Sequence, residues 1–157
     1  MPIILFKDNV VFYKPHDIYD EEKGIFINKG SWIEVVKKSV IEKYYIKDFS
    51  SNFAFTYQDK FYVLGNNEVL KVFDENFYYT NDIFLSDRNN NIRAIRDVKF
   101  IDGKLYIAFL LEDSNIEICE YDIEGNLIDM KGLKVKEAWK WNIEAFSFYP
   151  VAKRTHE

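Results

Sequence analysis

Two stretches of this sequence, 59–79 and 103–128, repeat one order of apolar, polar and turn residues, and this repetition constrains the fold more than any other feature. KFYV at 60–63 matches KLYI at 104–107 at an offset of 44 residues. The match continues beyond a longer acidic loop, LLEDSN, in the later copy, where the offset becomes 48. Repeats of this length, holding about four short strands each, predict tandem units of antiparallel β structure.

A third, weaker copy occupies residues 23–42, with GIFI at 24–27 aligned 36 residues before KFYV. An apolar segment precedes the first hairpin of each copy, and a further segment of this kind lies near the end of the chain. These segments are VVFYK (10–14), NFAFTY (52–57), DVKFI (97–101) and EAWKWNIEAFSFYP (137–150). We predict repeat-like units at about 10–45, 52–82 and 97–130 and a C-terminal strand at 137–150, within a single domain of residues 1–157.

Turn and strand chemistry supports antiparallel hairpins. Asp102-Gly103 lies between two alternating apolar runs, which is the strongest short-range hairpin signal in the chain. In KLYIAF (104–109), Leu105, Ile107 and Phe109 share one face, Tyr106 and Ala108 share the other, and all five are apolar. A strand with two apolar faces is typical of packing between two layers. The predicted fold class is therefore all-β or mostly β, built from tandem antiparallel four-stranded meanders.

One segment, SWIEVVKKSVIEKYY (31–45), is also compatible with a short helix. Apolar residues recur at helical spacing from Ile33 to Tyr44, and Ser31 with Glu34 matches a capping box. The density of β-branched residues favours two β-strands instead. One short helix is therefore the alternative to a pair of strands here.

The repeat has a family resemblance, carried by FIDGKLYIA at 100–108 and IEICEYDIEGNL at 116–127. This pattern resembles the blades of β-propellers of the NHL or six-bladed type, over residues 52–130 best and over 10–45 less well. The resemblance implies four-stranded blades. Closed propellers contain about four or more blades, whereas this chain holds about three and a half. Either the units form an open, propeller-like stack or β-sandwich, or a partner chain completes the closure.

Composition and charge exclude several classes of protein. The net charge is −5 and only four of the 21 basic residues are arginine. Both observations argue against non-specific binding to the phosphate backbone of a nucleic acid. The single cysteine, Cys119, excludes an intrachain disulfide framework and is expected to be a small buried residue. No apolar run approaches the length of a membrane span or of a signal-peptide core. We expect a cytoplasmic protein that does not bind membranes.

Arginines and aspartates near residue 90 define an enzymatic alternative. Converging carboxylates could bind Mg²⁺ or Mn²⁺ for phosphodiester hydrolysis, with arginines holding the phosphate. The residues of this nuclease hypothesis are Asp82, Asp87, Asp97 and Asp102 with Arg88, Arg93 and Arg96. Alternating surface charge around a hairpin explains the same residues without catalysis, and we favour that explanation.

Two further groups of residues have a functional and a structural explanation. MKGLKVKEAWKWN (130–142) interleaves lysines with Trp139 and Trp141, as a site for single-stranded nucleic acid would. An edge strand with a buried aromatic pair explains this pattern too, and nucleic-acid binding is the less favoured interpretation.

His16 lies among acidic residues that could make it a general base or a metal ligand. We expect it to be an exposed loop residue instead.

The sequence contains no complete catalytic set, whereas aromatic residues make up 18% of it. Aromatic side chains are enriched at the centres of protein interfaces. We therefore predict a non-catalytic protein-interaction module without a cofactor, which presents loops or an aromatic face to a protein partner or to a second copy of itself. The predicted binding residues are Arg88, Arg93, Arg96, Trp139, Trp141, Tyr78 and Tyr79.

Overall fold

The chain forms three four-stranded antiparallel sheets. The computed structural model describes residues 2–86 and 91–134, and every helix or strand among them is a β-strand. The strands are β1 (Ile3–Phe6), β2 (Asn9–Asp20), β3 (Ile25–Lys37), β4 (Val40–Lys47), β5 (Ser51–Tyr57), β6 (Lys60–Gly65), β7 (Val69–Phe73), β8 (Tyr79–Phe84), β9 (Ile92–Ile101), β10 (Lys104–Leu111), β11 (Ile116–Tyr121) and β12 (Leu127–Leu133).

Each sheet is a meander in which consecutive strands pair. The first sheet contains β1 to β4, the second β5 to β8 and the third β9 to β12, each in chain order. The prediction of an all-β fold built from tandem antiparallel four-stranded meanders is therefore confirmed. The predicted strand at 137–150 lies outside the described residues.

The segment that was compatible with a helix is a β-hairpin. Lys37 pairs with Val40 across a two-residue turn, so residues 31–45 belong to β3 and β4. Ile33 and Val35 are buried while Glu34 between them is not, which is the alternation of a strand rather than the spacing of a helix. The described residues contain no helix, and so none long and apolar enough to span a membrane.

Equivalent turns join the first and second strands of the three sheets. They are Lys7-Asp8, Gln58-Asp59 and Asp102-Gly103, and all six residues have φ between 47° and 75°. Two consecutive residues of positive φ give a hairpin turn whose twist matches that of the flanking strands. The hairpin predicted at Asp102-Gly103 is confirmed. The three turns also show which strands correspond in the three copies of the repeat.

This alignment corrects the third copy of the repeat. GIFI at 24–27 was matched to residues in β6 and β10, which are second strands, but it lies at the start of β3, a third strand. VVFYK (10–14), predicted to be an apolar segment before the first hairpin of this copy, lies in β2, the second strand of the sheet. The match was wrong because β2 and β3 have 12 and 13 residues, against six in β6 and five in β7. The longer strands shift the spacing between turns.

The chain divides into two compact units, Met1–Phe84 and Leu85–Glu157. In the first unit the first and second sheets pack face to face around an aromatic core. Phe77 lies at its centre, with its ring centroid 5.6 Å from that of Phe6 and 5.5 Å from that of Phe61. The buried core residues are Phe6, Val11, Tyr13, Ile33, Val35, Phe49, Ala54, Phe61, Val63, Phe73 and Phe77. Removal of these large apolar side chains from water holds the two sheets together.

The segment between the first two sheets is held by a buried hydroxyl. Ser31 Oγ donates a hydrogen bond to the carbonyl oxygen of Phe49 at 2.5 Å and accepts one from the amide of Ser51 at 2.8 Å. The Ser31 side chain thereby satisfies two backbone groups, one between β4 and β5 and one in the first residue of β5.

The middle strands of the second and third sheets are buried on both faces. In β6, Phe61 and Val63 point to one face and Tyr62 and Leu64 to the other, and all four are buried. In β10, Ile107 and Ala108 occupy opposite faces and both are fully buried, as KLYIAF predicted. Cys119 in β11 is also fully buried, which confirms the expectation for the single cysteine.

Tyr44 in β4 has an unusual ionisation. Its hydroxyl donates a hydrogen bond to Glu42 Oε2 at 2.6 Å, and this bond, together with partial burial and the carboxylate charge, raises the pKa of Tyr44 to about 12. A tyrosine pKa raised by folding stabilises the protein fully below the unfolded-state pKa of about 10 and loses that contribution as the pH rises towards 12.

We expect Glu42→Gln to lower the pKa of Tyr44 towards its ordinary value, because a neutral amide no longer repels the phenolate. An ultraviolet titration of the tyrosinate band checks this as a difference between the variant and the wild type. The difference should lie at alkaline pH, below the wild-type midpoint. Identical titration curves would show that Glu42 does not control the ionisation of Tyr44.

Candidate interaction surface

β2 and β3 extend beyond the first sheet as a two-stranded ribbon. β1 pairs with β2 only between Asn9 and Phe12, and β4 pairs with β3 only between Gly30 and Lys37. Residues 17–20 and 25–28 therefore pair only with each other among the strand pairs that the structure describes. We call residues 17–28, with the turn that joins the two strands, the ribbon.

The ribbon carries exposed apolar side chains. Tyr19 and Phe26 are opposite each other in the strand register, and their ring centroids are 5.2 Å apart. Phe26 is 71% exposed and Tyr19 52% exposed. Ile18 and Ile25 are exposed beside them. An isolated two-stranded hairpin gains little from its own packing, so these side chains contribute little to the stability of the fold.

The turn of the ribbon is acidic. Asp20 Oδ1 accepts hydrogen bonds from the amides of Glu22 at 3.0 Å and Lys23 at 3.1 Å, and the amide of Gly24 donates to the Asp20 carbonyl oxygen at 2.8 Å. Asp17, in the adjoining strand, accepts a hydrogen bond from Asn28 Nδ2 at 2.9 Å. The ribbon therefore presents an aromatic pair within a negatively charged border of Asp17, Asp20, Glu21 and Glu22.

A β-bulge and an aromatic cluster form the base of the ribbon. Lys29 is the extra residue in β3, since His16 pairs with Gly30 and Asp17 pairs with Asn28. The hydroxyl of Tyr45 donates a hydrogen bond to the Lys29 carbonyl oxygen at 2.5 Å. Tyr45 therefore anchors the bulge from the neighbouring strand.

His16 belongs to this cluster. Its Nδ1 lies 3.3 Å from the Tyr45 hydroxyl oxygen, and its ring centroid is 6.1 Å from that of Trp32. The expectation of an exposed loop histidine was wrong, because β2 continues past Pro15 and the ring is half-buried between aromatic neighbours. Pro15 is tolerated since no strand of the described residues pairs with that edge of β2.

The face of the first sheet that points away from the aromatic core is apolar at one end. The strand register places Leu5, Val10, Val36 and Ile41 in one row across all four strands. Leu5 is 75% exposed and Ile41 58% exposed. Ile3 and Phe12 add a second apolar pair beside the row. We call these six residues the outer patch.

A charged group borders the outer patch. Glu34 Oε1 lies 3.2 Å from Lys14 Nζ and 3.8 Å from Lys43 Nζ, on neighbouring strands of the same face. The carboxylate is thus neutralised by the two lysines, and this face carries no excess of negative charge around the apolar row.

The predicted binding tyrosines are exposed in the second sheet. Tyr78 is 69% exposed and precedes β8, and Tyr79 is the first residue of that strand. Lys71 Nζ lies 5.3 Å from the centre of the Tyr79 ring and 3.0 Å from Asp82 Oδ1. Asp82, proposed for the nuclease site, is therefore an ion-pair partner on the sheet surface.

The other predicted carboxylates belong to the second unit. Asp97 in β9 accepts a hydrogen bond from the Val98 amide and lies 3.3 Å from Lys99 Nζ, and Asp102 is in the β9–β10 turn. Arg93 and Arg96 are in β9. Among residues 2–86 and 91–134, no three side chains of His, Cys, Asp or Glu are grouped so that they could hold a metal ion. Asp87, Arg88, Trp139 and Trp141 lie outside the described residues.

Sequence reasoning did not identify the ribbon or the outer patch. The available signal for the ribbon was the segment IYDEEKGIF (18–26), in which two apolar pairs flank an acidic turn. The outer patch has no such local signal, because its six residues come from four strands. Comparison of the sequence with known protein families and with curated proteins finds no match.

Proposed function

We propose that this protein is a non-catalytic protein-interaction module that binds a protein partner through the ribbon. The observation that carries the proposal is the exposed pair Tyr19 and Phe26 on strands that no other described strand covers. Tyrosine and phenylalanine bury large areas at little cost in conformational entropy, and aromatic residues are enriched at interface centres.

The charge of the ribbon indicates the chemistry of the partner surface. Four acidic residues surround the aromatic pair, against one lysine, Lys23. Such a border repels phosphates, so nucleic acid and anionic membranes are unsuitable partners here. A protein surface with an apolar cleft flanked by lysine or arginine is complementary both to the rings and to the carboxylates.

The experiment is affinity capture with the full chain, comparing the wild type with a variant that carries Tyr19→Ser and Phe26→Ser. We expect the variant to lose at least about tenfold in affinity, because each ring is a candidate hot spot. Phe84→Ser is the matched control, since Phe84 is 72% exposed in β8 of the second sheet. A photo-crosslinker at position 26 identifies the captured protein. The complex is then reassembled from this partner and the purified chain.

Equal binding by the wild type and the double variant in the reassembled complex would contradict the proposal.

The enzymatic alternative is tested separately. The pure protein is incubated with linear duplex and single-stranded DNA in the presence of Mg²⁺ or Mn²⁺, and we expect no cleavage. Cleavage that disappears in Asp87→Ala would establish a metal-dependent nuclease instead.

A further inference from the structure

We propose that the outer patch is a self-association surface, through which a second copy of this chain stacks its own first sheet to form a closed dimer. This inference does not depend on the ribbon, which lies at the other end of β2 and β3. It rests on the packing, area and charge of the outer face of the first sheet.

The first and second sheets show how four-stranded sheets of this chain pack, because their facing sides bury Val11 and Ile33 together with Phe61 and Val63 in one apolar core. The first sheet is buried only on the face that carries Val11 and Ile33. Its opposite face presents an apolar row that spans every strand, which is the surface required to stack a further sheet.

The area of this face is sufficient for a stable dimer. The face is formed by β2, β3 and β4 along the eight residues from Gly30 to Lys37 of β3, and β1 adds a fourth strand over its four residues. With ordinary strand spacings, three strands of roughly 25 Å and one of about 13 Å cover about 400 Å² in projection. The accessible surface of a face covered with side chains exceeds its projection, and so approaches the ~800 Å² per partner of a standard interface.

The charge of the face favours a second copy over an acidic or a basic partner. The chain has a net charge of −5, yet on the outer face the carboxylate of Glu34, in the row next to the patch, contacts both Lys14 and Lys43. Two such faces meet without a concentration of like charge. In a two-fold dimer the central residues Val10 and Val36 of one copy lie over the same row of the other, so apolar side chains meet apolar side chains.

The experiment is sedimentation equilibrium on the full chain over a range of micromolar concentrations. We expect a mass of twice the 18.8 kDa of one chain for the wild type. Leu5→Glu and Ile41→Glu, at exposed positions on opposite edges of the sheet, should each weaken the dimer at least about 100-fold, because each substitution occurs twice in a symmetric interface. Phe84→Glu is the control, and it should dimerise as the wild type does.

Two results of this experiment would overturn the dimer proposal. A wild-type protein that is monomeric at all these concentrations, or that forms open-ended aggregates, overturns the proposal. Dimers of Leu5→Glu and Ile41→Glu as stable as the wild type also overturn it. Circular dichroism verifies that the variants keep their β structure, and the wild-type mass is decisive even where a variant does not fold. Partner capture through the ribbon is measured independently, so either conclusion stands or fails without the other.

Discussion

Replacing Gly30 with alanine is expected to lower the free energy of unfolding by about 3 kcal/mol or more, since steric overlap and backbone strain add. Gly30 has a φ of 149°, which side chains rarely allow. A Cβ atom there would overlap the carbonyl oxygen of Ile46 and lie 2.7 Å from the Tyr45 hydroxyl oxygen. The Ile46 carbonyl belongs to the neighbouring strand and cannot move without breaking the β3–β4 ladder.

The same substitution should weaken the ribbon. Tyr45 holds the Lys29 carbonyl at the base of the ribbon, and the added methyl group would displace its ring. Urea unfolding measures the loss of stability, and the capture assay measures the loss of binding. Gly132→Ala in β12 is the control, because a Cβ at that position meets no described atom within 4 Å. A Gly30→Ala variant as stable as this control would show that the bulge tolerates a side chain.

Phe61→Ala is expected to lower the free energy of unfolding by about 4 kcal/mol, through lost burial and the cavity that remains. Phe61 is fully buried in β6 between the first and second sheets. Its ring centroid lies 6.0 Å from that of Phe6 and 5.5 Å from that of Phe77. Phe6 comes from β1 of the first sheet and Phe77 from the β7–β8 turn of the second, so the site cannot collapse by a small local shift.

Urea unfolding at equilibrium measures this loss as a shift in the transition midpoint at constant slope. Phe84→Ala is the matched control: it removes the same side chain at a position that is 72% exposed, and should change stability by less than about 0.5 kcal/mol. Similar losses in the two variants would mean that the aromatic core does not hold the first two sheets together.

Strand and turn chemistry was predictable because it is local. KFYV and KLYI both lie in second strands, and Asp102-Gly103 forms the hairpin that its composition indicates. Phe73 and Tyr121, matched at the offset of 48, both end third strands. Each of these features depends on residues close together in the chain, so that alternation and turn preference reveal them.

Strand length was not predictable in the first sheet. The bulge at Lys29 lets β3 continue as the ribbon, although no third strand of the described residues pairs with it there. Nothing in the local pattern marks where β1 and β4 stop pairing with their neighbours. Pairing between strands depends on the register of all four strands together. For that reason the third copy of the repeat, at residues 23–42, was misaligned.

One pair of turn residues illustrates the division between local and tertiary control. Asp74 and Asp122 begin equivalent turns, in which each Oδ1 accepts hydrogen bonds from the amides two and four residues later. The position of positive φ in these turns is Gly125 in the third sheet but Phe77 in the second. Glycine is the local preference, whereas Phe77 is compatible with the turn because its ring fills the aromatic core.

The sequence by itself therefore determined the β class, the four-stranded units and the turns within them, since short-range periodicity and turn chemistry encode these features. Only the tertiary structure decided which side chains meet and which stay exposed. Leu5, Val10, Val36 and Ile41 become one surface because four strands adopt one register, and Tyr19 and Phe26 stay uncovered because β1 and β4 end early. Both surfaces depend on pairing between distant segments, which no local pattern contains.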